Sequence, residues 1–203
     1  MTSPPFDKNR VTGVILAGGE ARRMNGQDKG LIQIADKPMI EYILEAISGQ
    51  VGTIIINANR NQDVYQQYGY PVVSDEFSGF NGPLAGMASS MRKINTELMV
   101  TMPCDSPYIP GDLVSRLYQQ LYKESADISV AHDGERIQPV FSLMKCNLLG
   151  SLLDYLNSGE RKIDRWFKQH EMIITDFSNK PQTFINLNTP EDIENIEAAL
   201  TDA

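Results

Sequence analysis

Residues able to hold a polyanion and a cation stand at the ends of separate apolar runs in this chain. Gly18 and Gly19 follow the run Val11 to Leu16, with Arg22, Arg23 and Lys29 close behind. Paired glycines let backbone N–H groups approach a phosphate, because no Cβ intervenes and unusual dihedrals cost little. The basic residues add opposing charge. The loop carries neither the Gly-Lys-Ser/Thr of a Walker A sequence nor the dinucleotide pattern GxGxxG. Taken alone, the glycines read equally well as a tight turn and the arginines as solvated surface.

Asp105 closes VTMPCD, flanked by Pro103 and Pro107. One carboxylate where a strand gives out suits Mg2+, which takes one or two protein carboxylates and completes its shell with water and phosphate oxygens. An Asp in that place also suits a turn cap. Asn57, at the end of TIIIN, and Asp75, after Val72 and Val73, carry the same pair of readings, ligand contact or local cap. In NLNTP, Asn186 reads as satisfying a strand end and Asn188 as the N-cap of the last helix. His132 and Asp133 in HDGER read as a hairpin turn, with Arg136 available to a substrate. Cys104 reads as a small packed side chain, and His170 and Trp166 as structural.

The elements that must position these groups follow from the apolar patterning. Strands are expected at Val11 to Leu16, Leu31 to Ile34, Val51 to Asn57, Val72 to Val73, Glu97 to Met102, Asp127 to Ala131, Ile137 to Leu143 and Met172 to Phe177. Helices are expected at Met39 to Ser48, Gln62 to Tyr68, from Pro83, Pro110 to Tyr122, Asn147 to Asn157, Ile163 to Gln169 and after Asn188-Thr189-Pro190. Such alternation predicts an α/β fold: three layers, with a mostly parallel twisted sheet and helices on both faces. Ligands of such sheets lie outside the carboxyl ends of the strands. LAGGEARR, NANR, SDEF and PCDSP should therefore share one rim.

The 203 residues suit one domain, assigned to residues 11–203, with residues 1–10 expected to be an extension without fixed order. A formal charge of −8 argues against a general affinity for nucleic acid or an anionic membrane, so an anionic ligand must be held locally. Two cysteines without metal or disulfide spacing, a start lacking a signal-peptide core and no membrane-length apolar run point to the cytoplasm.

The combination LAGGEARRMNGQDKGL, NANR, GPLAGM, PCDSPYIP, HDGER and NLNTPEDI closely resembles the bacterial molybdenum cofactor guanylyltransferases, within the nucleotidyltransferases of Rossmann-like fold. The resemblance runs from about Val11 to Leu200. It implies transfer of GMP from GTP to the terminal phosphate of Mo-molybdopterin, with release of pyrophosphate and a requirement for Mg2+, for which Mn2+ could substitute. By matching position, Leu16, Ala17, Gly18 and Gly19 form the nucleotide loop, Arg23 and Lys29 hold the triphosphate, and Asn57 and Asp75 make further GTP contacts. Asp105 matches the metal-binding aspartate; Arg136, Asn186 and Asn188 fall on the molybdopterin side. Molybdoenzyme chaperones or cofactor-insertion proteins are the implied recipients. One departure stands in the loop, where Asn25 separates Met24 from Gly26; Asn tolerates left-handed dihedrals better than other non-glycine residues.

The rival readings are a cytidylyltransferase or a sugar-phosphate nucleotidyltransferase, since a phosphate loop and a metal aspartate do not select a base. A non-catalytic nucleotide-binding carrier or regulator is the reading of another class.

Overall fold

The branched apolar runs become strands and the amphipathic stretches become helices, in an order that leaves their polar ends together. The structure is a computed structural model and describes residues 4–19, 27–76 and 82–201. The chain runs β1 (Val11–Leu16), β2 (Gln33–Ile34), β3 (Lys37–Pro38), α1 (Met39–Ser48), β4 (Thr53–Asn57), α2 (Gln62–Gln66), β5 (Val72–Val73) and α3 (Pro83–Met91). It continues through β6 (Leu98–Pro103), α4 (Leu113–Lys123), β7 (Ile128–His132), β8 (Ile137–Lys145), α5 (Leu149–Asn157), α6 (Ile163–Phe167), β9 (Met172–Asp176) and α7 (Pro190–Thr201).

Among the described residues, seven strands form one sheet in the order β5-β4-β1-β6-β8-β7-β9. Only β8 runs against the others: it pairs antiparallel with both β6 and β7, whereas the remaining pairings are parallel. The carboxyl ends of β1, β4, β5 and β6 therefore meet at one rim, as expected.

Alternating side chains divide the core into two layers. Val11 and Ile15 of β1 pack with Ile43 and Ile47 of α1 and Leu117 and Leu121 of α4. Val14, between them in sequence, joins Leu84 and Met87 of α3 and Leu152 and Trp166 on the opposite face. At about 25 cal/mol per Å² of apolar surface buried, these two layers are the main stabilising term of the fold.

One strand expectation changes. The strand expected over residues 31–34 is a 3-10 turn, Lys29–Leu31, followed by the small β2-β3 hairpin. Ala35 and Asp36 both take positive φ, 48° and 62°, which is the two-residue turn that joins such strands. Ahead of β1, Phe6 and Arg10 pack on α4. Phe6 meets Tyr118 edge to face at 5.2 Å, and Arg10 donates to the hydroxyls of Tyr118 (2.9 Å) and Tyr122 (2.8 Å) and to Glu97. Among the described residues no helix is long and apolar enough to cross a membrane.

Candidate active site

The carboxyl ends of β1, β4, β5 and β6 bound a cavity of about 490 Å³ lined by Leu16, Gly18, Gly19, Asn57, Asp75 and Asp105, with Gly82 and Pro83 at the start of α3 and Val140 of β8. The chain leaving β1 is held on both sides: the N–H of Ala17 donates to the carbonyl of Asn57 at 2.8 Å, and that of Cys104 donates to the carbonyl of Leu16 at 3.1 Å. Arg60 donates to the carbonyl of Gly19 at 3.1 Å. α3 opens on Pro83, which has no N–H, and the N–H of Ala85 donates to the carbonyl of Gly82 at 3.3 Å; what this turn brings to the cavity is the positive end of a helix, which suits an anion.

Asn57 is buried, and its amide donates to the carbonyl of Val73 (3.1 Å) and to Oδ1 of Asp75 (2.9 Å). Asn59 donates to the other carboxylate oxygen of Asp75 at 2.9 Å and accepts the backbone N–H of Asp75 at 2.8 Å. Both oxygens of Asp75 are thus fixed by amide donors while the residue still lines the cavity. Gly86 makes room for this arrangement, because a Cβ there would lie 2.2 Å from Oδ1 of Asn57.

Behind the lining, Lys29 Nζ donates to Oδ2 of Asp105, which borders the first cavity, at 2.8 Å and to Oδ1 of Asn188 at 2.5 Å. Oδ1 of Asp105 is buried and has no hydrogen-bond partner among the described residues. A buried carboxylate oxygen left unpaired is costly, and a cation would relieve it. Among the described residues there is no group of three or more His, Cys, Asp or Glu placed to cage a metal. The donor set therefore suits a cation that takes one carboxylate and draws its other ligands from phosphate and water.

The turn carrying Lys29 is anchored from below. Asp28 is buried and accepts from the hydroxyl of Tyr65 (2.6 Å) and the amide of Asn61 (3.1 Å). Burial, with Cys104 and Asp28 nearby, pushes the Tyr65 hydroxyl well above its ordinary value, so it remains a donor. Gly30 lies against it, and a Cβ there would stand 2.5 Å from that hydroxyl.

A second cavity, of about 460 Å³, adjoins the first through Asn186. Arg136, Gln138, Phe184, Ile185 and Asn188 are among its lining residues. Asp133 accepts the backbone N–H groups of Glu135 and Arg136, each at 2.8 Å, and the amide of Gln138 at 2.6 Å. Led by the Arg136 N–H, these donors hold its carboxyl down at about 2. The hairpin expected at HDGER is present, and the Arg136 side chain is 79% exposed above it.

The structure thus brings Leu16, Gly18, Gly19, Asn57, Asp75 and Asp105 around one cavity, with Ala17 in its loop and Lys29 on Asp105. Arg136, Asn186 and Asn188 meet at the adjoining cavity. Arg23 and Asn25 lie outside the described residues. The cap expected at Asn188 is corrected: Thr189 takes that place, its hydroxyl accepting the N–H of Asp192 at 3.2 Å. Asp192 in return accepts the N–H groups of Thr189 (2.8 Å) and Asn188 (2.9 Å), a capping box that frees the Asn188 side chain for Lys29. Sequence reasoning misses Asn59 and Arg60, although both stand in NANR; the two-residue spacing of Asn57 and Asn59 at a strand end is the available signal. Cys104 is buried and its thiol is pushed far up by desolvation, in keeping with packing rather than chemistry.

Residues 13–173 match the family model of the MobA-like NTP transferase domain. A molybdenum cofactor guanylyltransferase of Shewanella amazonensis is 50% identical over 192 residues, 95% of this chain and 98% of its own. Another from Shewanella woodyi is 49% identical over 191 residues, covering 94% and 97%. Among solved structures, molybdopterin-guanine dinucleotide biosynthesis protein A from Archaeoglobus fulgidus has a TM-score of 0.79 at 21% identity, covering 95% of this chain and 100% of its own. A 4-diphosphocytidyl-2C-methyl-D-erythritol synthase from Anaerococcus prevotii has a TM-score of 0.75 at 15% identity, covering 96% and 97%. The two structures share the fold with this chain, and the fold alone does not select a base.

Proposed function

This chain belongs to the MobA-like NTP transferase domain family, and on that premise we propose that it transfers GMP from GTP to the terminal phosphate of Mo-molybdopterin. An acceptor phosphate oxygen attacks the α-phosphorus of GTP, the bond from that phosphorus to the β-phosphate oxygen breaks, and pyrophosphate leaves with the bonding pair. The product is the guanine dinucleotide form of the cofactor. The observation that carries this reading is the near-full-length similarity to guanylyltransferases, joined to two adjoining cavities of a size for donor and acceptor.

The first cavity is read as the donor site. Backbone from Leu16 to Gly19 lies along the nucleotide, Asn57 and Asp75 contact GTP, and Lys29 and Arg23 oppose the triphosphate charge. Asp75 accepts hydrogen bonds only, which suits the hydrogens on N1 and N2 of guanine. Asp105 would hold Mg2+, or Mn2+ in its place, a role supported by its unpartnered Oδ1. When bound, the cation supplies charge neutralisation at the phosphate oxygens. The second cavity is read as the acceptor site, with Arg136, Asn186 and Asn188 on the molybdopterin side.

Two polyanions must be brought together, so positioning and preorganised charge carry most of the rate enhancement. An acceptor phosphate already ionised needs no general base. Neither histidine is called upon: His132 accepts the N–H of Gly134 at 3.0 Å, and His170 is bonded to Ser151 at 3.0 Å. We assign the reaction to the cytoplasm, supported by two free thiols, Cys104 and Cys146; the product would pass to a molybdoenzyme chaperone or insertion protein.

Pyrophosphate release with GTP and CTP side by side, molybdopterin being the acceptor, tests donor, acceptor and base together. GTP should be preferred by about tenfold or more in kcat/KM. Preference for CTP would overturn the guanylyl assignment, and absence of pyrophosphate with either nucleotide would favour a non-catalytic binder.

A further inference from the structure

We propose that Asn188, although it borders the acceptor cavity, is a positioning residue for the donor half of the reaction and acts through Lys29. The proposal rests on the reading of the first cavity as a nucleoside triphosphate site.

An ammonium is a compact charge on a flexible stem, and holding it in one place costs rotamer entropy. Lys29 Nζ has three N–H donors, of which Asp105 Oδ2 takes one at 2.8 Å and Asn188 Oδ1 another at 2.5 Å. Two acceptors on different elements fix the nitrogen in space and leave one donor for a phosphate. The Lys29 side chain is only 21% exposed, so solvent does little to replace a lost acceptor.

The second acceptor is itself fixed. Asn188 Nδ2 donates to the carbonyl of Asn186 at 3.2 Å, and its backbone N–H donates to Asp192 at the start of α7. The loop is stitched to the Asp105 strand end by the N–H of Leu187 on the carbonyl of Asp105 (2.9 Å) and by Ser106 Oγ on Oδ1 of Asn186 (2.6 Å). Leu187 also packs with Ile34, Met39 and Ile196, which ties the loop to the β2-β3 hairpin, α1 and α7. Asp105, Lys29 and Asn188 therefore form one set whose relative positions are determined by three separate segments.

The residue type matters as well. A carboxylate at 188 would place a second negative charge on the ammonium and cancel its attraction for phosphate, whereas an amide oxygen orients the ammonium without neutralising it. Because Asn188 also lines the acceptor cavity, the same side chain stands between both halves of the reaction.

The test is a double-mutant cycle on binding of GTP·Mg2+ with no acceptor present, using wild type, Asn188→Ala, Lys29→Met and the double variant, each checked by circular dichroism and thermal melting. Asn188→Ala should weaken binding by about tenfold, the scale of a hydrogen bond to a charged group, and should add nothing in the Lys29→Met background. If the alanine variant melts early, Asn188→Leu, which keeps the side-chain size but offers no acceptor, replaces it in the same cycle. Unchanged binding by the Asn188 variant, or equal weakening in both backgrounds, overturns the proposal, since a residue serving only the acceptor or only the fold would give those results. Wild-type binding reports separately on the functional reading. If wild type prefers CTP·Mg2+, the guanine assignment falls and the cycle is read with that nucleotide; if it binds neither, the triphosphate reading falls and the proposal with it.

Discussion

Asn59 and Asp75 grip each other in both directions: the amide of Asn59 donates to the carboxylate at 2.9 Å, and the backbone N–H of Asp75 donates to the amide oxygen at 2.8 Å. With Asn57 on the other carboxylate oxygen, Asp75 has its orientation set before any ligand arrives. Asn59→Ala should raise KM for GTP by about three- to tenfold, with a smaller change in kcat, because it loosens a binding group and removes no reacting one. Steady-state kinetics would show this, and an unaltered KM would count against Asp75 as a nucleotide contact.

Asp105→Asn retains an oxygen to accept from Lys29 but loses the negative charge offered to a cation. Transfer should fall by about a hundredfold or more while circular dichroism stays that of wild type. Pyrophosphate release measured across a Mg2+ titration checks it. Unchanged turnover would remove Asp105 from the proposed metal site.

Gly86→Ala sets a methyl group 2.2 Å from Oδ1 of Asn57 and 3.0 Å from the side chain of Leu16. Relief requires Asn57 to move, and with it the donor to Asp75. Urea unfolding should show a loss of about 1–3 kcal/mol, the usual cost of overpacking. GTP affinity should drop in the same protein. Wild-type stability would show that the helix can shift at no cost.

Acid should act through Asp133. Its folded pKa, about 2, lies below the ordinary Asp value of about 3.9, so its contribution is complete above the unfolded pKa and disappears as pH falls through the folded one. Glu97, held low chiefly by its hydrogen bond from Arg10, works in the same direction. The Tm difference between wild type and Asp133→Asn should be constant above about pH 5 and should close between about pH 4 and pH 2. A gap that persisted unchanged to pH 2 would show that the carboxylate charge contributes nothing to this hairpin.

What is legible in the chain is what periodicity carries. Met39 to Ser48 is placed to the residue because one face of that stretch is apolar, and the strand ends locate the polar rim. Periodicity carries no direction, so the reversal of β8 is not visible in it. Nor does it separate neighbouring residues of similar chemistry. Asn188 and Thr189 both suit a helix start, and only the position of Asp192 three residues beyond Thr189 decides between them. The contact between Lys29 and Asn188 joins residues far apart in sequence and lies beyond any local pattern.

The reversed strand has an energetic consequence for the acceptor side. Because β8 returns antiparallel to β7, residues 133–136 form a tight link between two hydrogen-bonded strands instead of a loop leading to a helix. With its backbone clamped at both ends and Asp133 fastening the middle, this wall has little conformational freedom left to surrender. A molecule seating against it therefore meets a surface whose ordering cost was met when the chain folded.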